Sequence, residues 1–263
     1  HTKVLRPGRE LQGETPELFT FANEDMEVDH IVNELLTFQK RGYRWKDIAI
    51  LYRSNSQGGM MEGGLRRSQI PYKITGGTAL FDRKEAKDTM AYIRCALYPN
   101  EIAFRRILNL PARGIGDKTV EAIENFTGAT ALEFHQKAKL WAKNNPAEKA
   151  AGSILDLFAF LEELKTQLVH APDDPEIVLN RELDRLGYRQ YVYSSYRDAK
   201  AAEGRWICVL ILGRILSGMY TRHGRSLSTL EKFVEAMELR DQPDDENAQS
   251  DQVQIMPLHP CKS

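Results

Sequence analysis

Apolar and polar positions change period near residue 84. Before it, residues 17–22 (ELFTFA) alternate as a half-buried strand does, and residues 25–41 place Val28, Ile31, Val32, Leu35 and Leu36 on one helical face. Residues 47–52 (DIAILY) form a near-continuous apolar run bounded by polar positions, the pattern of a parallel strand covered on both sides. The segment from there to Arg67 has no clear period: Gly59, Gly63 and Gly64 each lower helix propensity by up to about 1 kcal/mol, so a fraying helix is expected. Residues 72–75 (YKIT) read as another strand, closed by Gly76 and Gly77.

After residue 84 the pattern is helical. Helices are predicted over 85–97, 102–110, 118–126, 131–143, 147–169, 175–186, 203–219 and 227–239, and Pro99, Pro111, Pro146, Pro172 and Pro175 fall between or at the start of them. Residues 241–251 (DQPDDENAQSD) are acidic and almost free of apolar groups, as a mobile linker is, and residues 252–256 (QVQIM) look like a strand again. A strand arriving after a long helical block belongs most simply to the sheet begun before it. The expected fold class is therefore α/β, a parallel sheet domain interrupted by an all-helical insertion.

With 263 residues, 42% of them hydrophobic, the chain is long enough for two domains, and no apolar run approaches the length of a membrane span. Cys95, Cys208 and Cys261 are odd in number and far apart, which suits a reducing compartment, and no Cys/His spacing suits zinc. A net charge of -1 excludes a general polycation. Yet residues 40–118 hold 16 Lys and Arg against 7 Asp and Glu, a net +9 that marks a local basic block.

Inside that block lies PARGIGDKTV, residues 111–120. Two glycines before a helix let the main chain approach a phosphate, and the helix start offers N–H groups and a positive dipole end. The alternative is an ordinary turn between helices. Two glycine-spaced decoys fail as ATP-phosphate loops: GRELQGET (8–15) has Glu14 where a lysine is needed, and GMMEGGLR (59–66) has Leu65. The tyrosines Tyr188, Tyr191, Tyr193 and Tyr196 read as helix packing rather than as a stacking platform for bases.

Four blocks carry a family resemblance: DIAILYRSNSQ (47–57), IPYKITGGTALFDRKEAKD (70–88), LNLPARGIGDKT (108–119) and DQVQIMPLHPCK (251–262). In this order they resemble superfamily 1 DNA helicases of the UvrD/Rep/PcrA type. The resemblance implies that residues 1–95 and 251–263 belong to the second RecA-like motor domain, 2A, and that residues 96–250 form its helical insertion, 2B, with a helix-hairpin-helix-like element. It implies a full-length parent that moves 3′ to 5′ on DNA using ATP and magnesium, in bacterial cytoplasm with the nucleoid, in repair or replication restart. This chain is expected to bind no cofactor or metal, to hold no catalytic residue and to lack ATPase activity alone.

Implied single-stranded DNA contacts are Arg53, Ser54 and Asn55 at the strand end, Phe81 by stacking, Arg83 and Lys84 beside it, and His259 and Lys262 in motif V. Implied duplex contacts are Arg113, Gly114, Ile115, Gly116, Lys118 and Thr119, gripping phosphates without reading bases. The sequence departs from the family at Gly59, where an arginine is usual. In motif V, Pro257, Pro260 and Ser263 stand where other residues are expected, and a DNA-facing hydroxyl is absent. The competing function is a non-catalytic DNA-binding or protein-docking module, with partners on the helical insertion. A helicase-associated nuclease would need clustered carboxylates, and the sequence offers none.

Overall fold

Asn23 starts the first helix: its side chain accepts the Met26 N–H at 2.9 Å, and Glu24, Asp25 and Glu27 fill the first turn of α1 (Glu24–Lys40). Val28, Val32 and Leu35 form its buried stripe. The computed structural model describes residues 15–127, 131–238 and 251–258. After a 3-10 turn at Trp45–Asp47 comes β1 (Ala49–Tyr52), then α2 (Asn55–Arg67) and β2 (Tyr72–Ile74). The last strand, β3 (Val253–Pro257), lies between the other two, and all pairings are parallel, with Ile50 opposite Ile255 and Tyr72 opposite Val253. The strand that follows the helical block thus returns to the sheet, as its position in the sequence suggests.

Between β2 and β3 the described residues form helices only: α3 (Lys84–Leu97), α4 (Glu101–Leu108), α5 (Asp117–Glu124), α6 (Phe134–Asn144), α7 (Lys149–His170), α8 (Pro175–Arg185), α9 (Tyr188–Ser195), α10 (Ala199–His223) and α11 (Leu227–Glu238). The chain is mostly helical with a small parallel sheet. One contiguous apolar core runs from Val32 and Leu65 near the sheet through Ile93, Ile211 and Ile215 to Leu164 and Phe233. No described helix is long and apolar enough to cross a membrane.

Several expectations need correction. Residues 17–22 form no strand: Leu18 is 92% exposed, and the Phe19 and Phe21 rings turn onto His30 of α1 at 4.5 and 5.1 Å. Alternation there reflects contact with a helix, not a sheet. The 147–169 and 175–186 helices are close to those observed, but α10 begins at Ala199, four residues earlier than expected, because Asp198 accepts the Lys200 and Ala201 N–H groups. Helix α9 is an addition to the expected set, which has no helix between 186 and 203; Gly187, with a φ of +84°, lets the chain turn directly from α8 into α9.

The glycine-rich α2 does not fray. Buried glycines make it a groove: a Cβ at Gly63 would lie 2.4 Å from Ile215 Cδ1, and one at Gly64 2.2 Å from Val28 Cγ1. Close approach of α1 and α10 outweighs the propensity cost of about 1 kcal/mol per glycine. The decoy at residues 59–66 is inside this helix, with no loop to cradle a phosphate. Apart from Thr15, the decoy at 8–15 lies outside the described residues, as do His259, Lys262 and the predicted linker except Asp251. Asp251 accepts the Lys46 N–H at 2.9 Å and so ties the chain leading into β3 to the start of β1.

Candidate nucleic-acid interface

Residues 109–116 join α4 to α5, and their shape comes from two side chains. Asn109 Oδ1 accepts the backbone N–H groups of Arg113 at 2.7 Å and Ile115 at 3.3 Å, a role suited to asparagine after a helix end. The Arg113 guanidinium points back beneath the loop. Its Nη1 donates to the carbonyls of Ile107 at 2.8 Å and Leu110 at 2.7 Å, and its Nη2 donates to Tyr92 Oη at 3.1 Å. The Tyr92 hydroxyl itself donates to the Leu110 carbonyl, and burial pushes its pKa up to about 12, so it stays a donor. Ile115, 2% exposed, stakes the loop to the core.

That scaffold leaves the two glycines facing outward. Gly114 has φ +73° and Gly116 has φ -97°, and an added Cβ would meet nothing within 4 Å at either. The left-handed backbone explains glycine at 114. Among the described residues nothing explains it at 116, an extended position where any residue fits. Gly116 is also the N-cap of α5 and supplies no side-chain cap. Lys118 is exposed and Thr119 half-buried in the first turn of α5. Arg105 fastens the flanking helices, bonding Glu101 at 2.8 Å and Glu124 at 2.7 Å.

The second group lies at the carboxyl end of β1, the edge where open α/β sheets place ligands. Ser54 caps α2, its Oγ accepting the Gln57 N–H at 3.3 Å, while Gln57 Oε1 accepts the N–H groups of Arg53 at 3.2 Å and Ser54 at 3.1 Å. This box holds the Arg53 and Asn55 side chains in an exposed turn. Beside them is a cleft of about 220 Å3 lined by Glu27, Tyr52, Arg53, Gln57, Met60 and Leu258. The Leu258 N–H donates to the Tyr52 carbonyl at 2.8 Å, so β3 closes this end of the sheet.

Phe81 is 6% exposed, with the Arg66 guanidinium 4.0 Å from its ring centroid, so this arrangement offers no ring face to a base. Arg83 is half-buried and directs Nη1 toward Cys208 Sγ at 3.7 Å. Lys84 Nζ bonds Asp88 at 2.9 Å and Tyr191 Oη at 3.0 Å. Desolvation opposes its charge, but those two bonds raise its pKa above the ordinary lysine value. Buried Asp88 also accepts from Arg106 at 2.6 Å and Tyr188 at 2.8 Å.

Helix α3 links the two groups. Lys84 begins it and Tyr92, which braces the 109–116 loop, is two turns on, about 12 Å along the axis. Sequence reasoning missed Asn109, Tyr92 and Gln57, which organise the backbone here; Asn109, directly after a helix and before Leu-Pro, and Gln57, three residues after Ser54 in a capping-box pattern, carry local signals, while Tyr92 carries none. Among the described residues no cluster of three His, Cys, Asp or Glu side chains is arranged for a metal ion.

Residues 3–263 match the family described as UvrD-like helicase C-terminal domain. DNA helicase II of Escherichia coli (strain K12) is 28% identical over 255 residues, covering 95% of this chain and 35% of that protein. DNA helicase II of Haemophilus influenzae is 30% identical over 195 residues, covering 73% of this chain and 26% of its own length. The ATP-dependent DNA helicase PcrA of Staphylococcus aureus (strain Mu50) is 36% identical over 115 residues, covering 43% of this chain and 16% of its own. The chain thus spans about a third or less of each relative. The match over nearly the whole sequence places this chain in the UvrD-like helicase C-terminal domain family.

Proposed function

We propose that this chain is the DNA-gripping part of a 3′ to 5′ ATP-dependent DNA helicase acting in the bacterial cytoplasm. Residues near the sheet serve as part of the 2A motor lobe, and the helices between β2 and β3 as the 2B insertion, with α4, the 109–116 loop and α5 as its helix-hairpin-helix. The ATP-binding loop and magnesium ligands are supplied by other parts of the protein, so this chain alone binds DNA without hydrolysing ATP. Arg53 and Asn55, with Lys84, contact single-stranded DNA; Gly114, Gly116, Lys118 and Thr119 contact a duplex phosphate; Arg113 and Ile115 hold the loop that does so.

The observation that carries this reading is Gly116. It is exposed, has ordinary extended torsions and abuts nothing, yet glycine leaves bare the N-terminus of α5. Serine, aspartate or asparagine would stabilise the helix better there by a few tenths of a kcal/mol. A bare helix start suits a partner that brings its own anionic cap close to the main chain.

Gly116→Asn separates fold from function. The substitution keeps or slightly raises Tm, because asparagine caps the helix, but weakens binding to tailed duplex at least tenfold and leaves binding to single strands within about twofold. Binding to the unaltered chain falls steeply as salt rises. Anisotropy titrations with tailed duplex, blunt duplex and single strand decide it. Unchanged duplex affinity in Gly116→Asn, or a flat salt response, removes the duplex grip.

A further inference from the structure

Several surface arginines sit on carboxylates: Arg105 on Glu101 and Glu124, Arg181 on Asp173 and Glu182, Arg214 on Glu176, and Arg222 on Asp29. Among the described residues others do not, Arg41, Arg53 and Arg189 included, and two of these unpaired arginines fall close together in sequence beside a half-exposed tyrosine. From α9 into α10, Arg197 and Arg205 have no carboxylate within ion-pair distance among the described residues, and the nearby Asp198 is engaged in capping α10. Arg205 instead lies over an aromatic ring, its Cζ 5.5 Å from the centroid of Tyr196.

The ring it covers leads directly to the candidate single-strand contacts. Tyr196 donates its hydroxyl to Glu85 at 2.5 Å, and Glu85 is the neighbour of Lys84, whose ammonium lies 4.6 Å from the centroid of Tyr191. Two half-exposed tyrosines and their cations therefore line the start of α3. Going back along the chain from Lys84, Gly77 lies against the Tyr52 hydroxyl, where a Cβ would be 3.4 Å away, at the same sheet end that carries Arg53. Tyr188, by contrast, is fully buried and serves only packing and its bond to Asp88.

Arg205 without a carboxylate beside the partly open Tyr196 ring, with exposed Arg197 next to that tyrosine in sequence, suits a ligand with both negative charge and flat apolar faces. A single nucleic-acid strand has both; a duplex buries its faces, and an acidic peptide lacks them. We propose that single-stranded DNA continues from the sheet end onto this shelf on the helical block, with Arg197 and Arg205 on phosphates and the Tyr196 ring against a base. The proposal rests on the DNA-binding reading above but not on the duplex loop.

The test uses the full chain, a dT oligomer, the same oligomer with abasic positions, and blunt duplex. Arg197→Gln with Arg205→Gln leaves the rings and the Tyr196 hydroxyl in place. It is expected to weaken dT binding at least fivefold and to flatten log K against log salt by about 0.7 for each phosphate no longer neutralised. Tyr196→Leu is expected to cost the dT oligomer about fivefold or more, and the abasic oligomer much less, while Tyr196→Phe stays within about twofold of the original. Blunt-duplex affinity is unchanged in all three, with circular dichroism melting confirming that each folds. Normal dT binding by the double arginine variant, equal weakening on dT and abasic strands in Tyr196→Leu, or a parallel weakening on duplex overturns the shelf. Failure of the unaltered chain to bind any single strand overturns the DNA-binding reading itself; intact single-strand binding with a failing Gly116→Asn test leaves the shelf standing and removes only the duplex loop.

Discussion

Replacing Arg113 by lysine will weaken duplex binding as much as replacing it by methionine, tenfold or more, although lysine keeps the charge. The guanidinium donates at once to the Ile107 and Leu110 carbonyls and to Tyr92 Oη, on different sides of the loop. A planar fork of five donors can do this; a single ammonium at the end of a flexible stem cannot hold that geometry. Each half-buried carbonyl left without a partner costs about 1–3 kcal/mol, so the loop relaxes and the glycines lose their fixed presentation. Because the side chain touches no phosphate in this arrangement, the salt slope of duplex binding stays the same in Arg113→Met. Lys118→Met, in contrast, lowers it by about 0.9. Salt titrations of the three variants against duplex, with Tm measured alongside, check this. Near-normal binding by Arg113→Lys, with a reduced slope in Arg113→Met, would place the guanidinium on DNA instead.

The second large effect is on stability and involves pH. Glu62, on α2, is 3% exposed; it accepts the Leu80 N–H at 2.7 Å and the Tyr72 hydroxyl at 3.4 Å. Burial raises its pKa from 4.5 to about 7, against the pull of those hydrogen bonds and of Arg66. The folded state therefore holds this proton more tightly than the unfolded state. Below pH 4.5 both states are protonated and the burial carries no ionisation penalty. As pH rises from there through about 7, the folded protein must either keep the proton or bury a charge, and stability falls by roughly 3 kcal/mol. Glu62→Gln removes the titration while an amide oxygen still accepts from Leu80. The variant is expected to be more stable by about 3 kcal/mol at pH 8, a Tm rise of several degrees, and by under about 1 kcal/mol at pH 5. Melting curves of both proteins across pH 5–8 are the measurement. Equal Tm differences at both ends of that range would show that Glu62 does not titrate between them.

Much of this molecule can be read from periodicity. The β1 run, the stripe on α1 and the long apolar face of α7 each announce their element, although β1 is not covered on both sides, Ala49 and Leu51 being exposed, and the return of β3 to the sheet follows from where its short apolar run stands. What escapes such a reading depends on neighbours distant in sequence. Residue by residue, α2 argues against its own helix; only Val28 and Ile215, arriving from α1 and α10, show why glycines are there. The turn residue Gly187 hides α9 because its left-handed backbone joins two helices as readily as it ends one. At the candidate interface, a one-dimensional reading sees Arg113 and Phe81 as a cation and a ring near a glycine turn. In three dimensions both side chains point inward, one onto carbonyls and the other under Arg66.

The helical block also returns to the place it left. Its last described residues are held there: the Met237 carbonyl accepts from Arg66 of α2, and Glu238 pairs with Arg94 of α3 at 2.8 Å. Without that clasp, bringing β3 beside β2 would close a loop of roughly 180 residues; with it, the closure spans roughly 14 residues of chain, and its entropy cost falls by about 2 kcal/mol. A three-stranded sheet whose middle strand comes from so far along the chain is thus made affordable by two arginines, and the size of what lies between matters far less than where it ends.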